Sequence, residues 1–441
     1  MATSPGFALR LFQYASFVAQ VTTMTNATAL PTLSRIEALD RADRLRHVRD
    51  AFALPTDTIY LDGNSLGPVT HASLAAVERT MREEWGRGLI KSWNEAGWWQ
   101  TPITVGNKIG RLIGAAPGET VACDTTSANI FKVLHAALSL RPDRSVIAAE
   151  GQGFPTDLYM IEGVAATRPG TTVRLEGRDG AAIENLIDES VAVVLVNQVD
   201  YRTGVRRDVK ALTNAAHAAG ALIVWDLCHS VGAMPVELNA ANADFAVGCG
   251  YKYLNGGPGA PAFIFCASRH LANIKQPLSG WWGHAAPFAF EPGYKPDASI
   301  RRFLCGSQPV VSMRALDAAL DLWSQVDIHD VRAKSVALTD LFIQLVEASC
   351  GEYGVTLATP RDAEVRGSQV SFAHPDGFAI MQNLIARGVI GDFRTPDRMR
   401  FGFAALFVSY RDVYDAANIL RDILATGSWR APQFSRRSDV T

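Results

Sequence analysis

The sequence predicts an α/β protein in which a large three-layer domain with a mostly parallel sheet is followed by a smaller α+β domain. Two observations lead to this fold class. Short, nearly continuous apolar runs alternate with helical patterns through the middle of the chain, which is typical of strands that are covered on both faces. After a long Leu- and Ala-rich stretch, the remaining residues mix short strand-like and helix-like segments.

The strands of the large domain are predicted from short β-branched and apolar runs. These runs are Ser145–Ala149, Thr172–Leu175, Val191–Val196, Ala221–Trp225, Phe245–Val247 and Ala262–Phe265. Between two of them, Asp208–Ala219 has the pattern of an amphipathic helix that is closed by Gly220. This alternation predicts parallel strands that are joined by crossover helices.

The C-terminal part is predicted to begin with helices and to continue as a mixed domain. A Leu/Ala-rich pattern from Val310 to about Cys350, interrupted near Asp327, predicts one or two long helices. The elements predicted after it are the strands Gln369–Phe372 and Met399–Phe403 and the helices Gly377–Arg387 and Arg411–Leu424.

These elements set the predicted domain boundaries. We assign residues 75–310 to the large domain and residues 311–430 to the connecting helices and the small domain. Residues 32–74 are expected to pack with the small domain. Residues 1–31 are expected to form a mobile extension and the polar residues 431–441 a frayed tail.

The composition is that of a globular protein with a balanced surface charge. With 42 Lys and Arg against 44 Asp and Glu in 441 residues, the formal net charge is −2. This balance, without a long basic run, argues against nucleic acid or an anionic membrane as a partner. No apolar run reaches about 18 residues, so no membrane span is expected. The stretch Phe7–Ala19 is broken by Arg10 and Gln13, which favours an upstream-extended start ahead of Met24 over a secretory signal.

The cysteines and histidines predict neither a disulfide framework nor a metal site. The six cysteines are scattered without a C-x-x-C pair, which fits a reducing cytosol. The nine histidines include no H-x-x-x-H or H-E-x-x-H arrangement. We therefore expect a cytoplasmic protein without a catalytic metal.

The densest group of candidate functional residues surrounds Lys252. The segment GCGYKYLNGGPG places this lysine just after a buried strand, between Tyr251 and Tyr253, in a glycine-rich turn. Lysines avoid burial unless they are paired or covalently engaged, and a lowered pKa frees the amine of such a lysine for Schiff-base chemistry. A lysine on an ordinary surface turn is an equally good interpretation of these residues alone.

Asp226 closes the apolar run ALIVW and is therefore expected at the carboxyl edge of the sheet, where open α/β sheets bind ligands. A carboxylate there can keep a heteroaromatic nitrogen protonated, as the pyridinium of pyridoxal phosphate requires. His229, three residues on, could orient the carboxylate or the ring. The alternative is a helix-capping Asp followed by a core histidine. Because Asp226 and Lys252 follow consecutive strands, both can reach one ligand, which favours a functional site.

Three further segments contain candidate site residues, each with an ordinary structural alternative. Thr126 and Ser127 open a helical run, where hydroxyls and free N–H groups bind a phosphate or simply cap the helix. Phe154 and Asp157 follow a strand, where they could contact a flat cofactor ring or form a turn before a helix. Arg400 lies among other arginines and could bind a substrate carboxylate or belong to a solvated charged turn.

Four segments together resemble the kynureninase family: YLDGNSLGP at 60–68, FPTD at 154–157, YKYLNGGPG at 251–259 and GWWGH at 280–284. The resemblance covers about residues 35–425 in the right order and spacing. The lysine turn alone is shared loosely with other aminotransferase-like enzymes, whereas the combination is much more specific. The resemblance implies the fold of the pyridoxal-phosphate-dependent transferases for the large domain.

The resemblance also implies roles for individual residues. Lys252 would hold pyridoxal 5′-phosphate covalently and carry the Cα proton, Asp226 would pair with the pyridine nitrogen, and Arg400 would bind the substrate carboxylate. Tyr251 would bind or surround the cofactor phosphate and is also the candidate donor of a proton to Cβ. The other residues expected around the cofactor are Thr126, Ser127, Phe154, Asp157, Asn197, His229, Trp281 and Ser307, and those expected to line the aryl pocket are Trp93 and His284.

The activity implied is hydrolytic cleavage of the Cβ–Cγ bond of L-kynurenine or 3-hydroxykynurenine. The products would be anthranilate or 3-hydroxyanthranilate and L-alanine, in tryptophan degradation and NAD biosynthesis. The family also implies a homodimer with shared active sites, in which Trp281 and Ser307 partly reach the site of the neighbouring subunit.

Other functions remain compatible with the same fold. A cysteine desulfurase needs a reactive cysteine on a mobile loop, for which Cys305 is the nearby candidate. A class-V aminotransferase would use a keto-acid partner and release no anthranilate. A catalytically silent cofactor-binding scaffold would not need Lys252, Asp226 and Arg400 together.

Overall fold

The structure is a computed structural model that describes residues 30–177 and 181–436 of the chain. The predicted mobile extension, with its alternative start at Met24, lies outside the described residues except at positions 30 and 31. Residues 437–441 of the predicted tail also lie outside them. No helix within the described ranges combines the length and the apolar character that crossing a membrane requires.

The chain forms two compact units. The central unit consists of Ala51–Leu54 and Gly63–Ile328. The terminal unit consists of Pro55–Asp62, the chain from His329 onward and the described residues up to Asp50. The domain boundaries given above stay predictions.

The strands of the described residues are short. In chain order they are β1 (Ile59–Tyr60), β2 (Thr120–Ala122), β3 (Val146–Ala149), β4 (Thr172–Leu175), β5 (Val191–Asn197), β6 (Leu222–Asp226), β7 (Phe245–Gly248), β8 (Phe263–Cys266), β9 (Thr356–Leu357), β10 (Gln369–Ala373), β11 (Val389–Ile390), β12 (Asp392–Arg394) and β13 (Arg398–Gly402).

The α-helices of the described residues vary from one turn to more than six. In chain order they are α1 (Leu33–Ala42), α2 (His71–Arg79), α3 (Ser92–Glu95), α4 (Thr101–Leu112), α5 (Thr126–Ser139), α6 (Pro155–Thr167), α7 (Val209–Ala218), α8 (Ser268–Leu271), α9 (Val310–Asp321), α10 (Ile328–Cys350), α11 (Gly377–Ala386) and α12 (Tyr410–Thr426). The break between α9 and α10 confirms the predicted interruption near Asp327.

The central unit is built on a seven-stranded sheet with the order β2-β8-β7-β6-β5-β3-β4. The strands from β4 to β7 run parallel, whereas β8 is antiparallel to both β7 and β2. The predicted mostly parallel sheet is confirmed, and each predicted strand of this region is present. The edge strand β2 was not predicted, because three residues are too few to show a hydrophobic period.

The strands of the central sheet are apolar because both faces are covered. Every residue of β5, β6 and β7 is buried, and helices α4 to α7 pack on the sheet. Ile147, Val193, Val224 and Val247 lie in the core with 0% exposure. Burying each such side chain contributes about 1.5–3 kcal/mol to stability. This core holds the strand ends, and the loops that follow them, at fixed positions.

Polar residues end two neighbouring parallel strands, β5 and β6, at one edge of the sheet. Asn197, the last residue of β5, pairs in register with Asp226, the last residue of β6. Asp226 in turn pairs with Val247, one residue before β7 ends. Because parallel strands share one direction, these ends and the turn carrying Lys252 meet at the carboxyl edge, where α/β sheets bind ligands.

The terminal unit combines a four-stranded antiparallel sheet of order β12-β13-β10-β9 with the short parallel pair β1–β11. Helices α11 and α12 and strands β10 and β13 confirm the predicted α+β elements. A capping box opens α12: the Ser409 hydroxyl accepts the N–H of Asp412, and the Asp412 carboxylate accepts the N–H of Ser409.

Candidate active site

A cavity of about 470 Å³ lies at the carboxyl edge of the central sheet, a size suited to a small molecule. It gathers predicted site residues from the ends of several strands and from the first turns of α5 and α6. The predicted residues that line it are Thr126, Ser127, Phe154, Asp157, Asn197, Asp226, His229, Tyr251 and Lys252.

Lys252 lies in the turn after β7 and lines the cavity. Its Nζ is 2.9 Å from Nε2 of His229 and 6.0 Å from the ring centroid of Phe154. The Tyr251 ring centroid lies 5.8 Å from the same nitrogen. The amine is therefore surrounded by aromatic faces and one imidazole, an environment suited to covalent chemistry on a flat ligand.

Gly67 explains why the segment YLDGNSLGP belongs with the lysine turn. Its N–H donates to the Tyr251 carbonyl at 2.8 Å. A Cβ at position 67 would lie 2.2 Å from the Lys252 carbonyl oxygen, so only glycine allows the two backbones to approach this closely. Gly67 thus helps to fix the backbone that carries Lys252.

Two carboxylates lie side by side beneath the cavity. Asp226 is 6% exposed, and its Oδ1 accepts the N–H of Cys228 at 2.7 Å. Asp157 accepts a hydrogen bond from the Asn197 side-chain amide at 2.8 Å. Burial and the neighbouring negative charge of Asp226 raise the pKa of Asp157 well above its usual value. Asp157 therefore favours its protonated form more than an ordinary aspartate does.

The Tyr251 phenol also keeps its proton. Burial is the main cause that raises the pKa of Tyr251, and the nearby Cys249 and Cys228 thiols act in the same direction. A protonated phenol beside the Lys252 amine is available as a proton donor.

The amino end of α5 forms the third side of the cavity. Thr125 is its N-cap and accepts the N–H of Ala128 at 3.3 Å. Thr126 and Ser127 occupy the first helical turn, where free N–H groups and the helix dipole favour an anion. The predicted capping and phosphate-binding interpretations of this segment are compatible, because Thr125 caps the helix and leaves the Thr126 and Ser127 hydroxyls at the cavity.

Asp124 lies beside this helix end and is neutralised from within the protein. It adopts a left-handed backbone with φ of 46°. Its carboxylate accepts a hydrogen bond from Lys132, which is 1% exposed and also donates to the Phe303 carbonyl at 2.6 Å. A buried lysine thus offsets the negative charge nearest to the helix end.

Several cavity residues were missed by the sequence reasoning. Tyr201 lines the cavity and meets the Phe154 ring edge-on, with ring centroids 5.3 Å apart. It lies four residues beyond the end of β5, and its position after a parallel strand was a signal that could have identified it. Cys228 and Pro309 also line the cavity.

Four predicted residues of the central unit lie outside this cavity. Trp281 is 41% exposed and packs on Trp282, which also contacts Trp93 with ring centroids 5.5 Å apart. His284 accepts the N–H of Ala286 on its Nδ1. The fourth residue, Ser307, is exposed. Their roles at the cofactor or in the aryl pocket stay predictions.

Arg400 lies on β13 of the terminal unit and points inward, as expected from its apolar neighbours. It is 1% exposed, and its Nε donates to Oδ1 of Asp392 at 2.8 Å. A second hydrogen bond joins its Nη2 to the other oxygen of Asp392. The sequence reasoning missed this partner, and the binding of a substrate carboxylate by Arg400 stays a prediction.

The donor set of the cavity matches the chemistry of pyridoxal phosphate. The Lys252 amine suits an aldehyde, Asp226 suits a protonated ring nitrogen, Phe154 suits a ring face, and the amino end of α5 suits a phosphate.

Solved structures show the same fold. The chain is similar to the apo cysteine desulfurase of Thermococcus onnurineus, with a TM-score of 0.72 and 19% identity over 86% of this chain and 98% of that one. It is also similar to a C-DES mutant with glycine covalently linked to its pyridoxal phosphate cofactor, with a TM-score of 0.73 and 15% identity over 85% and 99% of the two chains. Fold and site together define a class: an α/β protein with the fold of these two enzymes and a cavity whose residues suit pyridoxal phosphate.

The sequence comparisons identify the family within this class. A model described as the kynureninase C-terminal domain matches residues 331–420. Kynureninases of Burkholderia pseudomallei (strain 1106a) and Pseudomonas fluorescens are each 50% identical to the chain, over 92% of its length and 98% of theirs. The chain belongs to the kynureninase family, whose members are hydrolases acting on a carbon–carbon bond.

Proposed function

We propose that this cavity is the site where the chain hydrolyses the Cβ–Cγ bond of L-kynurenine, or of its 3-hydroxy derivative, to the corresponding anthranilate and L-alanine. The placement of Lys252, Asp226 and the amino end of α5 around one cavity carries this proposal. When bound, pyridoxal phosphate supplies an electron sink for the negative charge that develops at the substrate's Cα.

Lys252 and Asp226 have the central roles. Lys252 would hold the cofactor through Nζ and would carry the proton at Cα of the substrate. Asp226 would pair with the ring nitrogen and favour its protonated, positively charged form. Asp157, whose pKa is raised by burial and by Asp226, lies beside Asp226 with the Asn197 amide, and together they orient it.

Tyr251 donates the proton that Cβ receives when the bond breaks. Its phenol is protonated because burial raises its pKa, and it lies next to the Lys252 amine. Phe154 packs on the cofactor ring, and Tyr201 supports Phe154 from its edge. Thr126 and Ser127 bind the phosphate together with the free N–H groups of α5. His229 holds the Lys252 amine in place when the lysine is free.

The remaining predicted residues are assigned to the substrate and to a homodimer. Arg400 binds the substrate carboxylate, and Trp93 and His284 line the aryl pocket. Trp281 and Ser307 act partly in the site of the second subunit. Exposed apolar side chains support a subunit interface, since Phe288 is 65% and Phe290 is 85% exposed.

We assign the enzyme to the cytoplasm, without nucleic acid or membrane partners. All six cysteines are free, which fits a reducing compartment. The balanced net charge of −2 offers no broad basic surface to a polyanion.

The test of this function is anthranilate release, followed by fluorescence, from protein given L-kynurenine and pyridoxal phosphate. Lys252→Ala removes both the attachment point and the proton carrier, so turnover is expected to fall by at least about 10⁴-fold. Lys275→Ala, on an exposed lysine outside the cavity, is the matched control and should retain the wild-type rate.

Two outcomes would count against the proposal. A wild-type rate in Lys252→Ala would remove Lys252 from the chemistry. The second is a cofactor-loaded wild-type protein that releases no anthranilate but forms sulfide from L-cysteine or transaminates a keto acid. That result would assign the site to a desulfurase or an aminotransferase activity.

A further inference from the structure

Glu150 is a buried carboxylate that the proposed chemistry does not use. It directly follows β3 and is 7% exposed. Its Oε2 accepts the backbone N–H of Asn197 at 2.9 Å, and its Oε1 accepts a hydrogen bond from Nε of Arg207 at 2.6 Å. Neither Glu150 nor Arg207 lines the cavity. Both carboxylate oxygens of the buried Glu150 therefore accept hydrogen bonds from the end of β5 and from the segment that follows it.

These contacts lead to the two carboxylates of the site. Asn197, held by Glu150 through its backbone, donates its side-chain amide to Asp157 at 2.8 Å. Asp157 lies close enough to Asp226 for that charge to raise its pKa. Glu150 is thus connected to the proposed ring-nitrogen ligand through Asn197 and Asp157.

The same ion pair joins the two loops that form the aromatic wall. The chain leaving Glu150 leads to Phe154, and the chain leading to Arg207 contains Tyr201. The Arg207 N–H donates to the Gln198 carbonyl at 2.9 Å and closes the second loop. Phe154 and Tyr201 meet across these loops with ring centroids 5.3 Å apart.

We propose that Glu150 is a positioning residue for the cofactor: by holding Asn197 and Arg207 it fixes the loops that present Asp157 and Phe154 to the cavity. This inference rests on the proposed function of that cavity. Glu150 does not touch the reacting atoms, so its effect is on the binding and the electronic environment of pyridoxal phosphate.

The charge of Glu150 changes near neutral pH. Burial, the largest cause, raises the pKa of Glu150 to about 7, and Glu176 acts in the same direction. Arg207 and the Asn197 N–H lower it, and the other carboxyl group near it is Asp157. Above this pH the carboxylate accepts both hydrogen bonds at full strength, because bonds to charged acceptors are the stronger ones.

The first experiment measures the dissociation constant of pyridoxal phosphate from titrations of the cofactor-free protein, together with its melting temperature. Glu150→Gln keeps the size of the side chain but presents a donor where an acceptor is needed. Its dissociation constant is expected to rise about tenfold, which corresponds to about 1.4 kcal/mol. Glu176→Gln is the matched control, since Glu176 also accepts from Arg207 but has no contact with Asn197. It should change the constant by less than about twofold.

A double variant tests whether Glu150 acts through Asn197. Asn197→Ala removes the amide that reaches Asp157, and combining it with Glu150→Gln should weaken cofactor binding little more than Asn197→Ala alone. Losses that simply add would overturn the proposed route. An unchanged dissociation constant in a Glu150→Gln protein that melts at a lower temperature would show a purely structural residue and would also overturn it.

A pH series keeps the inference testable if Glu150→Gln does not fold. Between about pH 8 and about pH 6, the wild-type dissociation constant should rise as Glu150 takes up a proton. A flat wild-type profile would contradict the inference, and where Glu150→Gln does fold its rise should be smaller than that of the wild type. If the wild-type protein binds no pyridoxal phosphate at any pH, the proposed function fails instead.

Discussion

Buried carboxylates at the two opposite edges of the central sheet have pKa values that are shifted in opposite directions. At the amino edge, just before β7, Asp244 is completely hydrogen-bonded. Its Oδ1 contacts Nε2 of His270 at 2.8 Å and Nη2 of Arg269 at 2.7 Å. Its Oδ2 contacts Nε2 of His217 at 2.8 Å and accepts the N–H of Ile223 at 3.0 Å. Burial acts to raise the pKa of Asp244, but its hydrogen-bond partners lower this pKa to about 2.

At the carboxyl edge, carboxylates outnumber the cations that face them. Asp157 and Asp226 are neighbours, and burial with this repulsion raises the pKa of Asp157 well above its usual value. Behind them, burial raises the pKa of Glu150 to about 7 despite its ion pair with Arg207.

The comparison shows how one sheet separates a stabilising cluster from a binding site. A carboxylate with four donors stabilises the fold in its charged form and has nothing left to offer a ligand. Crowded carboxylates with few donors cost stability, and a positively charged ring nitrogen relieves that cost when it binds. The predictions below test this difference.

Among the variants that test this difference between the two edges, Asp226→Ala is expected to have the largest effect. Without this carboxylate the ring nitrogen of the bound cofactor loses its counter-charge, and turnover should fall by about 10²–10⁴-fold. The repulsion on Asp157 also disappears, so the cofactor-free variant should be as stable as the wild type or more stable by about 1 kcal/mol. Anthranilate fluorescence and chemical denaturation measure the two effects. A variant that turns over normally, or that loses several kcal/mol of stability, would contradict the assignment of Asp226 to binding and not to stabilisation.

Asp244→Ala should have the reverse pattern. It leaves the buried N–H of Ile223 and the side chains of His270 and Arg269 without this acceptor. The free energy of unfolding should fall by about 3 kcal/mol, because a buried donor without an acceptor keeps its full desolvation cost. The rate of anthranilate release by the folded, cofactor-loaded variant should stay within about twofold of the wild-type rate.

The pH dependence of stability sharpens this prediction. Because the folded pKa of Asp244 is lowered to about 2, its contribution is complete above the unfolded value of about 3.9 and is lost as the pH falls through about 2. The difference in unfolding free energy between wild type and Asp244→Ala should therefore be constant from about pH 7 to about pH 4.5 and shrink below that. A difference that already shrinks at about pH 6 would contradict the lowered pKa of Asp244 as the source of this stabilisation.

The sequence was sufficient to predict the residues that both follow a parallel strand and belong to a dense motif. Lys252 and Asp226 were found because buried strands of recognisable composition precede them and share one edge. Tyr201 was missed because it lies in a loop without a motif, and Glu150 because a single acid after a strand has no spacing signal.

The hydrogen-bond partners of the buried charged residues could not be predicted from the sequence. The burial of Arg400 followed from its apolar neighbours, but its pairing with Asp392 depends on the register of β12 on β13. The contacts of Asp244 likewise join residues from separate strands and helices, whose packing has no local signal. Strand composition is a local property, whereas hydrogen-bond partners depend on tertiary packing.

A smaller effect is expected at Lys132, where a satisfied ion pair borders the candidate active site itself. Lys132 neutralises Asp124, whose side chain remains 25% exposed at the cavity. Lys132→Met would leave that negative charge beside the phosphate position and should weaken pyridoxal phosphate binding about tenfold. Removing the charge as well, in Lys132→Met with Asp124→Asn, should restore affinity to within about threefold of the wild type. If the single and the double variant lose the same affinity for pyridoxal phosphate, Lys132 acts by supporting the Phe303 backbone. Neutralisation of Asp124 would then not be the reason why this edge binds an anion.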